Sequence, residues 1–156
     1  MYLALKALHI LAVILFLGNT ITGAFWKAHG DKSGDPRIMA HTLDGIIRSD
    51  RFFTIPGVIM ILVFGFGAAG IARYPILGTA WIWMSLILFG ISGAAYMRGV
   101  VPVQIKLRNL ARDGATTGTF DKAEYKRLSG RYQFWGSVGI VTPLIALILM
   151  VSKPTF

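Results

Sequence analysis

The sequence predicts an all-α integral membrane protein of four transmembrane helices in an up-down bundle. It forms one domain over residues 1–156, with a short interfacial cytoplasmic helix between the first and second spans. Three observations carry this expectation. Hydrophobic residues make up 54% of the chain and charged residues 15%, against about 25% charged in soluble domains. Four apolar runs each approach the ~20 residues needed to cross ~30 Å of hydrocarbon. None of them alternates with period two, so a barrel is disfavoured, and lipid then leaves helices as the way to satisfy the backbone.

The first run extends from Leu3 to Trp26 and is broken only by Lys6 and His9. It is too long for a signal-peptide core and lacks a basic segment before it, so it reads as an uncleaved helix. Asp35-Pro36 then has the form of an N-cap followed by proline at the first helical position. Beyond it Ile38, Met39, Leu43, Ile46 and Ile47 share one face, and Arg37, His41, Asp44 and Arg48 another. That pattern predicts a short helix at the membrane surface, with Ile38, Leu43 and Ile46 facing the bilayer or the bundle and Arg37 and Arg48 facing water. The second run is Phe52 to Ala72, with Pro56 in its first turn, and the third is Thr79 to Met97. The third helix is expected to continue past Pro102 through Gln104–Arg112 to Gly114, with a flexible turn over Gly114–Gly118. Asp121 and Glu124 have capping-box spacing ahead of the fourth run, Phe134 to Val151. Pro143 inside that run should kink it and free the Gly139 carbonyl.

A formal net charge of +9 is compatible with nucleic-acid binding, but the positions of the charges point elsewhere. Thirteen of the sixteen Lys and Arg residues lie between the first and second or the third and fourth spans; Lys6, Arg73 and Lys153 are on the other side. The positive-inside rule places the thirteen in the cytoplasm and both termini outside it. The expected partner is the lipid bilayer rather than nucleic acid. There is no cysteine, which removes disulfides, thiolate nucleophiles and Cys-ligated metals.

Gly65-Phe66-Gly67-Ala68-Ala69-Gly70 matches GxGxxG literally but lies within an apolar helix, without the strand that a dinucleotide site requires. Gly65/Ala69, Ala68/Ala72 and Gly90/Ala94 have the small-xxx-small spacing that lets membrane helices approach closely. Trp26, Trp81, Trp83, Tyr74, Tyr96, Tyr132 and Trp135 lie near the expected helix ends, as in an aromatic belt.

His9 is the most informative residue. An ionisable group inside a membrane helix normally faces the bundle and has a partner. Two readings follow: an imidazole ligand to a haem iron, or a histidine hydrogen-bonded to a neighbouring carbonyl. His9 shares its face with Leu5, Ala12, Val13, Phe16 and Thr20, of which Ala12 and Thr20 are small enough to leave room for a flat ligand. The other two histidines, His29 and His41, belong to the cytoplasmic side, so a bis-histidine site is not expected. Phe66, Met84, Ser85 and Leu147 fall at the depth of His9. A five-coordinate iron or a His9/Met84 pair is the feasible arrangement, with Lys6 as partner for a haem propionate.

Several stretches resemble the bacterial membrane proteins grouped as domain of unknown function 2269. They are Leu5-Lys6-Ala7-Leu8-His9-Ile10, Ser49-Asp50-Arg51-Phe52-Phe53-Thr54-Ile55-Pro56-Gly57-Val58, Pro102-Val103-Gln104-Ile105-Lys106-Leu107-Arg108-Asn109-Leu110-Ala111 and Val151-Ser152-Lys153-Pro154. The resemblance covers nearly the whole chain and implies a bacterial inner membrane. The Lys-x-x-His opening and the Lys-Pro end are also similar, more distantly, to HemJ-type protoporphyrinogen oxidases. That likeness implies haem b at His9. The lysine expected early in the third helix of that family is absent from Trp81-Ile82-Trp83-Met84-Ser85-Leu86, which argues against porphyrinogen oxidation. Two function classes stand. One is a haem-b-binding redox or porphyrin-related module. The other is a non-catalytic membrane protein, either a small transporter or a partner subunit, as a homo-oligomer or within a larger complex.

Overall fold

A computed structural model describes residues 1–154, all helices and connecting turns. The helices are α1 (Tyr2–Lys32), α2 (Pro36–Ser49), α3 (Ile55–Ile71), α4 (Ala80–Ala95), α5 (Val101–Thr117) and α6 (Lys122–Ser152). A π-turn at Asp50–Thr54 joins α2 to α3 without a break, and a second at Tyr96–Val100 joins α4 to α5. Four continuous rods result, of 31, 36, 38 and 31 residues, each long and apolar enough to cross a membrane. At 1.5 Å per residue the two longer rods reach about 55 Å, well beyond a ~30 Å hydrocarbon core.

Each π-turn has a local cause. Pro56 and Pro102 both stand six residues after the first residue of a π-turn. A proline has no N–H to donate to the carbonyl four residues back and its ring clashes with it, and widening the helix by one residue absorbs the lost bond. The Asp35 cap forms as expected, its Oδ1 accepting from the Arg37 amide at 2.8 Å. Asp121 Oδ1 likewise accepts from the Glu124 amide at 2.9 Å, while Glu124 pairs with Arg127 rather than completing a capping box.

The short helix expected between the first two spans is present, and it runs on into α3 without a break. Because α2 continues into α3, its apolar residues Met39, Leu43 and Ile46 are buried against neighbouring helices, and Ile38 is left 47% exposed. The residues that receive them include Val103, Leu107 and Ala111 of α5. Arg108 and Arg112 of α5 also clasp Asp44 of α2, at 3.3 and 2.7 Å. The expected flexible turn over Gly114–Gly118 is corrected. Helix α5 runs on to Thr117, Gly114 lies against Phe120, and the chain reverses only at Gly118, with φ +73°.

The bundle is not closed. Helix α1 packs along α3, and α4 along α6, with a smaller contact between α1 and α6. No Cα of α3 lies within 8 Å of α4 or α6, and none of α1 within 8 Å of α4. The two helix pairs are held together at the basic end by α2, α5 and the π-turns, and they stand apart at the end carrying Met1 and Ser152. Pro143 does not interrupt α6, and the Gly139 carbonyl it excludes accepts a hydrogen bond from Ser92 Oγ of α4 at 2.8 Å.

Candidate functional site

The separation of the helix pairs creates a cleft of about 780 Å3 at the terminal end, lined by α1, α3, α4 and α6. That volume falls within the ~300–1,000 Å3 range of small-molecule sites. The walls are mainly aliphatic and aromatic: Val13, Leu62, Phe66, Leu86 and Leu147 among others. At the closed end Phe16 of α1 and Phe89 of α4 meet edge to face, with ring centroids 5.6 Å apart.

His9 lines this cleft. Its Nδ1 lies 2.9 Å from the Ile61 carbonyl oxygen of α3. A carbonyl can only accept, so Nδ1 carries the hydrogen and the neutral ring keeps its lone pair on Nε2. Glycine at position 65 makes the contact feasible. A Cβ there would stand 2.9 Å from both Cε1 and Nδ1 of the imidazole. The expected small-residue approach is therefore real at Gly65, where it seats the His9 imidazole. At Gly90 nothing lies within 4 Å of an added Cβ.

The mouth of the cleft is basic and aromatic. Lys6 and Lys153 both line it. The Lys153 ammonium sits 5.8 Å from the Tyr74 ring centroid and 5.5 Å from that of Trp81, a cation–π arrangement bridging the α3–α4 connection and the end of α6. Of the residues expected at the depth of His9, Phe66, Ser85 and Leu147 line the cleft and Met84 does not. Met150 supplies the thioether there instead. The space is also not where small side chains on α1 suggested. Ala12 is fully buried in helix packing, and Thr20 lines a different cavity. The room comes from divergence of the helix pairs.

A second polar region, at the basic end, escaped sequence reading. Lys27 is 3% exposed inside α1. It pairs with Asp31, donates to Ser129 Oγ at 2.8 Å, and lies 5.2 and 5.5 Å from the ring centroids of Tyr125 and Tyr132. Tyr125 Oη donates to Asp31 at 2.8 Å. Tyr132, expected in an aromatic belt, is 8% exposed and part of this core. Nearby, Asp50 Oδ1 accepts from Thr54 Oγ1 at 2.8 Å and from Asn19 Nδ2 at 3.1 Å. Apart from the Lys27–Asp31 and Asp50–Thr54 pairs, each four positions apart, these contacts join residues 31 to 105 positions apart, which no short spacing signals.

Among the described residues no group of three or more His, Cys, Asp or Glu side chains is placed to hold a bare metal ion. His9 is the one histidine among the residues that line the cleft. No curated protein and no solved structure matches the chain. A family model matches residues 3–154, and the chain accordingly belongs to the DUF2269 family of predicted integral membrane proteins.

Proposed function

We propose that the cleft is a haem b site with His9 Nε2 as the iron ligand, serving a redox or porphyrin-related role in the membrane. The observation that carries this reading is the His9 bond to the Ile61 carbonyl, which directs the hydrogen to Nδ1 and leaves Nε2 as the donor in an apolar cleft. Metal-bound histidines commonly hold their second nitrogen in this way. Lys6 and Lys153 at the mouth match the two propionates of a flat, otherwise apolar ring. Bound haem supplies an iron centre whose behaviour depends on its axial ligand and on the polarity around it. The protein's part is to orient the imidazole through α3, to exclude water with Val13, Leu62 and Leu147, and to hold carboxylates at the open end. Met84 is outside the cleft, and Met150, which lines it, would be the thioether available to such a group. The Lys6-x-x-His9 opening, similar to HemJ-type proteins, supports the same assignment.

The test is the visible spectrum of protein purified after expression with haem supplied. A Soret band lost in His9→Ala and kept in His29→Ala and His41→Ala is expected. Wild-type protein without a Soret band ends the haem reading. The missing contact between α3 and α4, which leaves the cleft unsealed on that side, favours a second reading in that case: a carrier or partner subunit for a lipid-soluble molecule. We further infer an inner-membrane protein with both termini outside the cytoplasm, from the thirteen basic residues at the opposite end. Reporters at the C-terminus and at Gly118 should fall in opposite compartments.

A further inference from the structure

We propose that Asp50 is the centre of an exchangeable site for one monovalent cation, a proton or Na+, between the two π-turns. The inference does not depend on haem. Asp50 opens the first π-turn, and Tyr96 and Val100 of the second line the same small cavity. The carboxylate is met by neutral donors: Thr54 Oγ1 and Asn19 Nδ2 on Oδ1, and Gln104 Nε2 at 3.5 Å from Oδ2. Gln104 is itself 2% exposed. Asn19 also donates to Thr54 Oγ1 at 2.9 Å, which ties α1 to the turn.

What the carboxylate lacks is a positive charge. Asp31, Asp44 and Glu124 each have a Lys or Arg nitrogen within 4.0 Å; among the described residues Asp50 has none. The nearby buried cation, Lys27, is taken up by Asp31 and Ser129 and stands on the Tyr132 ring. The groups facing Asp50 are Asn19 of α1, Thr54 of its own turn, Tyr96, Gln104 of α5 and Tyr132 of α6, none of them cationic. Neutral donors orient a carboxylate without neutralising it. In a partly buried site between apolar helices the remaining charge is relieved by protonation or by a bound cation.

The adjoining space suits such an occupant. The cavity is about 50 Å3, lined by Asp50, Asn19, Thr20, Tyr96 and Tyr132 with Ser92 and Gly139 beyond. It is large enough for one water-sized body, which needs roughly 10–15 Å3. Its polar groups are oxygens and amides, hard ligands suited to H+ or Na+ rather than to soft metals. With one carboxylate present, charge balance selects a monovalent ion: the carboxylate takes up H+ to become the acid, or Na+ to become an ion pair. Distorted helices at ion sites are a recurring device in membranes, because they expose backbone carbonyls away from lipid.

Two measurements on haem-free protein in detergent decide the matter. One is equilibrium binding of radioactive Na+. The other is isotope-edited infrared spectroscopy of the aspartate carboxyls over a pH series. Saturable binding of one Na+ per chain, lost in Asp50→Asn, identifies sodium. No Na+ binding, with a protonated-carboxyl band that appears reversibly as pH falls and is missing in Asp50→Asn, identifies a proton. Wild-type protein that binds no Na+ and shows no titrating carboxyl overturns the proposal, whether or not the variant folds. Na+ binding or a titrating band undiminished in folded Asp50→Asn overturns it as well. Gln104→Leu, which keeps the carboxylate, should weaken Na+ binding or shift the titration without abolishing it.

Discussion

The two ends of this bundle use the same four rods in opposite ways. At the basic end, α2 and α5 fill the space between the helix pairs, and Leu43, Leu107 and Ala111 are completely buried. Polar side chains there are cross-linked: Lys27 to Asp31 and Ser129, Asp44 to two arginines of α5, Asp50 to Asn19 and Thr54. At the terminal end nothing fills the gap, and an apolar cleft with one histidine takes its place. The difference teaches where close packing and open volume reside. Packing and long-range hydrogen bonds concentrate at the basic end, whereas at the other end the helix pairs diverge around the cleft.

Core truncations should separate the two ends most sharply. Leu43→Ala removes a fully buried side chain and should cost about 2–5 kcal/mol. Leu86→Ala, on the cleft wall, should cost under about 1 kcal/mol, because its side chain already borders open volume. Equal losses in detergent unfolding experiments would erase the distinction. Lys27→Met should cost somewhat less than Leu43→Ala, about 2–4 kcal/mol. It strands Asp31, but that carboxylate is 24% exposed and recovers some hydration. Adding Asp31→Asn to Lys27→Met should restore part of the loss, and no recovery would show that the pair is not the clasp described here. A small effect is also expected beside His9. Gly65→Ala forces the imidazole off the Ile61 carbonyl, at about 1 kcal/mol. Its signature is a changed His9 ring environment in NMR spectra, with global stability nearly intact. An unshifted His9 signal would mean that the ring is not held as described.

Much of the fold was legible because lipid enforces simple rules. Apolar length located the four rods, and Asp35, Asp121 and Pro36 marked helix starts where the structure has them. Pro143 was readable as the source of a free Gly139 carbonyl, though its partner Ser92, 47 residues away, was not. The helix expected over residues 35–47 is present, with the choice between bilayer and bundle for its apolar face left open by the sequence. An amphipathic stripe states that one face must be covered, not whether lipid or protein covers it, and here α5 and α1 do so. His9 was visible as a lone ionisable residue in an apolar run. Lys27 and Asp50 were not, because each sits beside a basic, polar segment where a charge looks unremarkable. Only the inward turn of their helices reveals the burial.

The sequence by itself determined the membrane-spanning character, the number of rods, the caps and the presence of one histidine deep in an apolar helix. These follow from local hydropathy and backbone chemistry, which operate over a few turns. The tertiary structure alone decided that the helix pairs diverge, that α2 and α5 brace one end, that Met84 is left outside the cleft and that Asp50 meets Asn19 and Gln104. Each of these depends on how distant helix faces register against one another, and that register is set by packing of side chains many residues apart.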